Sequence, residues 1–270
     1  KVGDEFNAIN DKEICRKYKR KYNQSTSKAK QSKVIDEIVD SKFVPEHFDT
    51  EHLMKNIHKL NLDDYIAVTY KLHGTSARYF NTLVKRDVPI KDKIAKFFGV
   101  KIQEEEYKFV CASRRVVKSL DFEELDNKRH YYSEDLWSKV GKEYLEGKLN
   151  HGESVYCEII GKDYTGEAIQ KGYTYGFNKP KVYIYRITNI NQQGIEVDLS
   201  YQQMKHRANQ LGIDTCPELF YGSFYDFIRK YDKLMEELNY TKLFDLSKTE
   251  EYLNEIFYNQ LLEKPSILDN

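Results

Sequence analysis

The sequence predicts an α+β fold, with strands in the middle of the chain and helices after them. β-Branched and aromatic residues, which suit pleated and half-buried strands, are concentrated in segments 66–70, 107–113, 155–160 and 182–187. From Ser200 onward the apolar spacing becomes helical, because Met204, Ala208 and Leu211 fall on one stripe. Strands followed by helices are typical of an α+β domain.

The first strand leads to a lysine. Ile66, Val68 and Tyr70 alternate with small or polar residues, which is the period of two of a strand. Lys71 follows, and Gly74 then ends the strand and lets the backbone come close to a ligand. A lysine held in this way can act as a nucleophile when nearby cations and partial burial favour its neutral amine.

The later elements follow from the same periodicities. Further strands are predicted at Tyr107–Ser113, Val155–Ile160 and Val182–Ile187. Helical spacing predicts helices at Asp92–Phe98, around Leu136–Tyr144, at Tyr201–Leu211, at Phe224–Leu238 and at Lys248–Leu262. Gly212 is expected to end the helix that starts at Tyr201.

The composition restricts the class of protein. The 270 residues suit one large domain or two, and 43 basic residues balance 43 acidic ones. Because the charges cancel, any contact with nucleic acid must come from local patches. The chain has no apolar run of about 18 residues and no signal peptide, so we expect a cytoplasmic protein without membrane contact. Since the chain starts with Lys1 rather than Met, we expect it to be part of a longer protein.

Cysteines and histidines do not predict a metal site. The four cysteines are far apart and form no CxxC pair, so they are expected to be reduced. His47, His52 and His58 lie close together in the sequence, but their spacing is not that of metal ligands on a helix. We expect surface or capping roles for them.

Four short motifs, in a fixed order, point to one family. Lys71-Leu-His-Gly74 resembles the nucleotidyl-acceptor motif of covalent nucleotidyltransferases, which include ATP-dependent RNA and DNA ligases and mRNA capping enzymes. His73 stands where DNA ligases and capping enzymes carry Asp, which favours the RNA ligase branch. Ile169–Gly176 resembles a segment found in the phage- and virus-encoded subset of these ligases. Ser113–Arg115, Val155–Gly161 and Val182–Ile187 are similar to the next three motifs. The resemblance covers roughly residues 50–270.

This resemblance implies a nucleotidyltransferase domain with antiparallel sheets flanking an ATP cleft and helices outside them. It also implies an RNA ligase that joins 5′-phosphate and 3′-hydroxyl ends through a lysyl-AMP formed from ATP with Mg²⁺ or Mn²⁺. The expected partners are RNA ends or a nicked duplex, and we expect a monomer, in the host cytoplasm if a phage or virus encodes it. A DNA ligase or capping-type enzyme is the alternative within the superfamily. A non-catalytic nucleotide- or RNA-binding module is the alternative from another class.

The resemblance also assigns roles to residues. Lys71 is the expected nucleophile, and His73 is expected to position phosphate or the leaving group. Arg78 and Arg114 would hold phosphates or ribose, since guanidinium groups suit bidentate phosphate contacts. The other expected contacts to ATP are Tyr70, Leu72, Gly74, Ser76, Glu158 and Tyr183, and the expected contacts to RNA in a later loop are Gln170 and Lys171.

The sequence pattern around Glu158 and Tyr183 also points to roles for these residues, independently of the resemblance. Glu158 is a carboxylate in an otherwise apolar strand, so it needs a partner such as a ribose hydroxyl, Mg²⁺ through water, or Lys71. An ion pair with Arg114 is the structural alternative. Tyr183 and Tyr185 are predicted on one strand face, with Arg186 on the other, and we choose Tyr183 to stack the purine.

Three departures from the family pattern stand out. The family expects a Glu-Gly strand and a Lys-x-Lys strand after the last helix, and neither occurs before Asn270. Tyr70 replaces a Glu that is common in relatives, and Ser76 replaces an Asn found in some of them. We therefore divide the chain into a segment 1–48, read as the end of a β-barrel module plus a linker, and an adenylation domain 49–270 that is incomplete at its C-terminus.

The N-terminal segment contains a basic patch interleaved with tyrosines, a pattern that can bind phosphates and stack bases. A solvated strand is the alternative. The cations are Arg16, Lys17, Lys19, Arg20 and Lys21.

If this patch contacts RNA, replacing its five cations with Gln should weaken RNA binding and flatten its dependence on salt, because fewer counterions are released on binding. Binding titrations of labelled RNA at several salt concentrations measure both quantities. Unchanged affinity at low salt would show that the patch is solvated and does not contact RNA.

Overall fold

Residues 8–9, 12–13, 38–47, 56, 59–124, 132 and 134–230 are described by the computed structural model. Their strands are β1 Ala8–Ile9, β2 Lys12–Glu13, β3 Tyr65–Thr69, β4 Thr75–Lys85, β5 Glu105–Ser113, β6 Val117–Leu120, β7 Glu123–Glu124, β8 Glu153–Ile160, β9 Lys181–Ile190, β10 Glu196–Asp198, β11 Asp214–Thr215 and β12 Glu218–Ser223. Their α-helices are α1 Ile90–Phe97, α2 Leu136–Leu145, α3 Tyr201–Leu211 and α4 Phe224–Lys230, and a 3₁₀ helix spans Ser41–Phe43.

The described strands form a small antiparallel sheet of β1 and β2 and two further sheets that organise the rest of the fold. The larger sheet has the strand order β10-β9-β8-β4-β5-β6-β7, with antiparallel neighbours throughout. The short strand β11 joins β9 in parallel. The smaller sheet pairs β3 with β12, again antiparallel. The α+β class and the antiparallel sheets that the sequence predicted are confirmed.

Helices α2 and α3 cover one face of the large sheet. Ala77 and Tyr79 of β4 point to this face, and the Tyr79 hydroxyl donates to the Trp137 carbonyl oxygen of α2 at 2.9 Å. The apolar residues of α2, α3 and the sheet form one core there, which includes Trp137, Val140, Val155, Ile184, Met204, Ala208 and Leu211. The predicted stripe of α3 is therefore confirmed as a buried face.

Both ends of α3 carry the expected capping residues. The Ser200 side chain accepts from the Gln203 backbone N–H, and the Gln203 side chain accepts from the Ser200 backbone N–H, at 3.3 and 2.9 Å. This reciprocal pair satisfies donors that the first helical turn leaves open. Gly212 ends the helix with φ +71°, in the left-handed region that glycine enters without a steric penalty.

The opposite face of the large sheet is covered by residues 38–47. Val39, Phe43 and Val44 are buried there against Phe80, Val84, Val110, Ala112 and Tyr156. Strand β4 is therefore buried on both faces over most of its length. The division of the chain near residue 48 stays a prediction, as do the helix at 248–262 and the end of the helix predicted at 224–238, which lie outside the described residues.

Among the described residues, no helix is long and apolar enough to cross a membrane.

Helix α2 approaches the sheet closely at Gly141. A Cβ added there would lie 2.7 Å from Cε1 of Tyr79 and 2.9 Å from Sγ of Cys111. Gly141→Val should therefore push the helix away from β4 and β5 and lower the free energy of unfolding by about 1–3 kcal/mol, as overpacking of a core does. Urea denaturation measures this change. Lys142→Val is the matched control, because it places the same residue on the exposed side of α2; equal losses in the two variants would contradict the argument.

Candidate active site

The predicted nucleophile segment, residues 70–74, crosses from the small sheet to the large one. β3 ends at Thr69, the Tyr70 N–H donates to the Pro217 carbonyl oxygen at 3.0 Å, and β4 begins at Thr75. Leu72 is buried among Ile160, Tyr183 and Cys216. Its neighbours Lys71 and His73 are exposed. One apolar anchor thus holds a short segment that presents two polar side chains to solvent.

Exposure of Lys71 differs from the expectation of partial burial. The Lys71 side chain is exposed to solvent in the structure. The predicted role of Lys71 as a nucleophile is unaffected, since a reacting amine must also be accessible.

Gly74 is needed where the segment meets β8. A Cβ at this position would lie 2.1 Å from the Ile159 carbonyl oxygen and 2.8 Å from Cγ2 of Ile160. Gly74 therefore allows a close approach to the backbone of β8, and its predicted approach to a ligand stays a prediction. Every larger residue would force the nucleophile segment away from that strand.

Glu158 fastens the same segment to β8. One carboxylate oxygen accepts from the Gly74 backbone N–H at 2.9 Å, and Glu158 is paired with Ser76 across the strands. Burial raises the pKa of Glu158 to about 7, while the Gly74 N–H and the positive charges of Lys71 and Arg114 act in the opposite direction. The partner of this half-buried carboxylate is therefore a backbone donor, which the sequence could not reveal.

The two predicted arginines lie in different surroundings. Arg78 is 1% exposed; its Nε donates to the Ser113 carbonyl oxygen at 2.9 Å and its Nη1 donates to that of Pro45. It therefore ties β4 to β5 and to the segment 38–47, and burial lowers the pKa of its guanidinium. Arg114, directly after β5, is exposed, and its charge acts on Glu158. Contacts of either arginine with ATP stay predictions.

A β-bulge changes the faces that we predicted for strand β9. Glu158 pairs with Tyr183, but Tyr156 pairs with Arg186, so Tyr185 is the extra residue. The Arg186 guanidinium lies 4.5 Å from the Tyr156 ring, on the same face as Glu158. The prediction that Arg186 faces the other side is wrong, because one inserted residue shifts the alternation of the strand.

The two tyrosines of β9 are held differently. Tyr183, our choice to stack the purine, is 5% exposed and packs with Leu72 and Cys216. The hydroxyl of Tyr185 lies 3.1 Å from Oγ of Ser76. The structure thus brings Tyr183 and Ser76 together with the nucleophile segment, while the choice of Tyr183 for the base stays a prediction.

His47 lies closer to the site than the sequence suggested. Its Nδ1 is 3.5 Å from the Tyr185 hydroxyl, and the two rings are 5.7 Å apart. Burial, and then the charges of Arg114, Arg78 and Arg186, lower the pKa of His47. It is half-buried rather than a surface or capping residue. The signal that could have found it is the apolar stretch Phe43-Val44, which packs on the sheet and brings His47 with it.

The loop between β8 and β9 also reaches the nucleophile segment. The His73 ring stacks on the Tyr173 ring at 4.6 Å with an interplanar angle of 29°, and the His73 backbone N–H donates to the Tyr175 hydroxyl at 2.9 Å. Gln170 and Lys171, the predicted RNA contacts, are exposed on this loop. The basic patch at residues 16–21 lies outside the described residues.

A cavity of about 180 Å³ lies between the small sheet and β9, next to α3. It is lined by Ala67, Thr69, Ile184, Tyr185, Tyr201, Met204 and Cys216. It is smaller than the roughly 300–1,000 Å³ typical of small-molecule sites, and neither Lys71 nor Glu158 lines it. The exposed Lys71 and the half-buried Glu158 therefore lie outside this cavity.

The described part of the chain has no group of three His, Cys, Asp or Glu residues that could hold a metal ion by themselves. Glu158 is the one predicted metal contact. A single carboxylate suits Mg²⁺, which usually keeps several waters and binds one or two carboxylates together with substrate phosphates.

Comparison with known families matches residues 64–255 of this chain to the family described as RNA ligase. Among solved structures, the Naegleria gruberi RNA ligase with PPi is similar, with 16% identity and a TM-score of 0.44 over 69% of this chain and 45% of that chain. A variant of the same enzyme with ATP and Mn gives 17% identity and a TM-score of 0.44 over the same shares. The chain thus spans less than half the length of these proteins. Comparison with curated proteins found no match.

The carboxyl group of Glu158 predicts a specific dependence of stability on pH. An unfolded glutamate ionises near its ordinary value of 4.5, whereas Glu158 in the folded chain keeps its proton to about pH 7. Between pH 4.5 and 7 the folded chain binds more protons than the unfolded chain. The contribution of Glu158 to the free energy of unfolding is therefore complete below pH 4.5 and is lost as the pH rises through 7.

Glu158→Gln should remove this dependence, because the amide is neutral throughout and its oxygen can still accept the Gly74 N–H. From pH 4.5 to 8 the free energy of unfolding of the wild type should fall relative to the variant by about 2–3 kcal/mol. Denaturant titrations across this range measure it. Glu167→Gln, which changes an exposed carboxylate, is the control. If the free energy of unfolding had the same pH dependence in the wild type and both variants, the raised pKa of Glu158 would be contradicted.

Proposed function

This chain belongs to the RNA ligase family, and from that premise we propose that it joins RNA ends through a covalent lysyl-AMP formed from ATP. One observation carries the proposal. Lys71 is exposed where the two sheets meet, on a segment that Glu158 fastens to β8 and Leu72 anchors in the core. A nucleophile requires this combination of an accessible amine and a fixed backbone.

In the first step, the Lys71 amine attacks the α-phosphate of ATP and pyrophosphate leaves. Among the described residues, only one of the two carboxylate oxygens of Glu158 accepts a hydrogen bond. The second oxygen can accept from a ribose hydroxyl or from a water on the metal. Glu158 would thereby orient the nucleotide on the same strand that holds the nucleophile segment.

Glu158 and the substrate phosphates would hold Mg²⁺ or Mn²⁺, with Glu158 acting through a water. When bound, the ion neutralises charge on the triphosphate. The protein groups beside it have separate roles: Arg114 adds positive charge near Glu158, and Arg78 keeps β4 and β5 in place through its two backbone contacts.

In the later steps, AMP passes from Lys71 to the 5′-phosphate of an RNA, and a 3′-hydroxyl then displaces AMP and seals the strand. The RNA end must reach an amine that is open to solvent, and Lys71 meets this condition. Gln170 and Lys171 are exposed on the loop that touches His73, and this exposure supports the proposal that they contact RNA.

The alternative functions differ in the nucleotide attached to Lys71 or in the nucleic acid that is joined. A DNA ligase would also form lysyl-AMP but would prefer DNA ends, a capping-type enzyme would form lysyl-GMP, and a nucleotide- or RNA-binding module would form neither adduct. Offering labelled ATP and GTP, followed by nicked RNA and nicked DNA, separates the four cases.

Lys71→Ala should abolish capture of labelled AMP without loss of stability, because the side chain is exposed and makes little contribution to packing. Lys71→Arg should fail as well, since a guanidinium does not lose its proton at usable pH. Gel analysis after incubation with α-labelled ATP and Mg²⁺ measures capture, and Lys142→Ala, another exposed lysine, is the control. Capture of AMP by either Lys71 variant would show that the nucleophile is a different residue.

A further inference from the structure

Two tyrosines of the loop between β8 and β9 contact a single residue of the nucleophile segment. The Tyr173 ring stacks on the His73 ring, with centroids 4.6 Å apart and 29° between the planes. The Tyr175 hydroxyl accepts from the His73 backbone N–H at 2.9 Å. One contact thus fixes the side chain of His73 and the other fixes its backbone, two residues after Lys71.

Hydrogen bonds hold the first part of this loop in place, so Tyr173 and Tyr175 further along it can restrict the motion of the nucleophile segment. Oδ1 of Asp163 accepts from the backbone N–H groups of Thr165 and Glu167 at 2.9 and 3.0 Å, and from the Thr165 hydroxyl at 2.6 Å. The Ile169 N–H donates to the Gly161 carbonyl oxygen at 3.0 Å, and the Tyr132 hydroxyl donates to that of Ile169 at the same distance. The chain therefore enters the segment with Tyr173 and Tyr175 from a rigid turn.

Tyr175 adopts a backbone conformation that bulky residues rarely take. Its φ is +49°, in the left-handed region. Such a conformation persists where the surrounding contacts determine it, and it is concentrated at functional sites. Here the tyrosine ring packs against the cluster of Leu72, Ile160, Tyr183 and Cys216, while its hydroxyl reaches the His73 N–H. The left-handed conformation of Tyr175 thus accompanies the packing of its ring against Leu72 and the contact of its hydroxyl with His73.

We propose that Tyr173 and Tyr175 are positioning residues, which hold segment 71–74 so that Lys71 is presented to the α-phosphate. This inference rests on the proposed function. On the side of β8, Glu158 holds the segment at Gly74, and the two tyrosines hold it from the side of the loop at His73. Without them, the exposed part of the segment would sample more conformations and Lys71 would occupy the reactive position less often.

Substitutions that remove one contact at a time test this proposal in the full chain. Tyr175→Phe keeps the ring and removes the accepting oxygen, while Tyr173→Ala removes the stack and Tyr173→Phe keeps it. Tyr175→Phe and Tyr173→Ala should each slow single-turnover formation of lysyl-AMP by roughly five- to tenfold, because the first removes about one hydrogen bond and the second one aromatic stack. The ATP concentration for half-maximal rate should stay the same, and Tyr173→Phe should retain the wild-type rate.

A double-mutant cycle separates positioning from general loss of structure. If Tyr173 acts through the His73 ring, Tyr173→Ala should slow the reaction little further in a His73→Ala background. Tyr164→Ala is the matched control, because Tyr164 lies on the same loop, is 41% exposed and donates to Glu143 rather than to the nucleophile segment. Equal effects of Tyr173→Ala in both backgrounds would overturn the proposal.

Hydrogen exchange gives a readout that does not need activity. Peptides covering residues 71–74 should exchange faster in Tyr175→Phe and Tyr173→Ala than in the wild type and in Tyr164→Ala. Wild-type exchange and wild-type rates in both variants would overturn the proposal. Failure of the wild-type chain to capture AMP would instead refute the proposed function, and exchange would still show whether the tyrosines hold the segment.

Discussion

The hydrogen bond from the Gly74 N–H to Glu158 is the contact on which the site depends. It joins the segment that carries Lys71 to a central strand of the large sheet, at 2.9 Å. The bond forms only because residue 74 has no side chain, since a Cβ would collide with the Ile159 carbonyl oxygen. Burial raises the pKa of this carboxyl group, while the Gly74 N–H and the charges of Lys71 and Arg114 oppose the rise. The carboxylate of Glu158 thus holds the nucleophile segment in place and is also the group proposed to orient the nucleotide.

The rest of the fold keeps this contact in register. Strand β4, which starts one residue after Gly74, is buried on both faces and paired with β5 and β8. Arg78 extends the constraint, because its guanidinium links β4 to β5 and to Pro45. Glu158 is thus placed by strands that are covered by helices on one side and by residues 38–47 on the other. A rigid scaffold of this kind limits the motion of the reacting groups without enclosing Lys71.

The sequence predicted the parts of this arrangement that depend on local pattern. Period-two alternation located the strand before Lys71, and the apolar run around Glu158 showed that a carboxylate would be buried. The stripe on α3 and Gly212 were also predictable, because helical spacing and capping depend on neighbouring residues. The remaining features depend on contacts between distant residues. The bulge at Tyr185 reversed the predicted side of Arg186, and the approach of His47, Tyr173 and Tyr175 to the site depends on how a loop and residues 38–47 pack against the sheets.

Locating the adduct on the wild-type chain tests the central claim most directly. The chain would be incubated with ATP and Mg²⁺, digested, and its peptides sequenced by mass spectrometry to find the modified residue. A single AMP on Lys71, lost when pyrophosphate is added back, is the result that the fixed segment and the exposed amine predict. AMP on another residue, GMP in place of AMP, or no adduct under conditions in which the protein seals RNA would contradict the account.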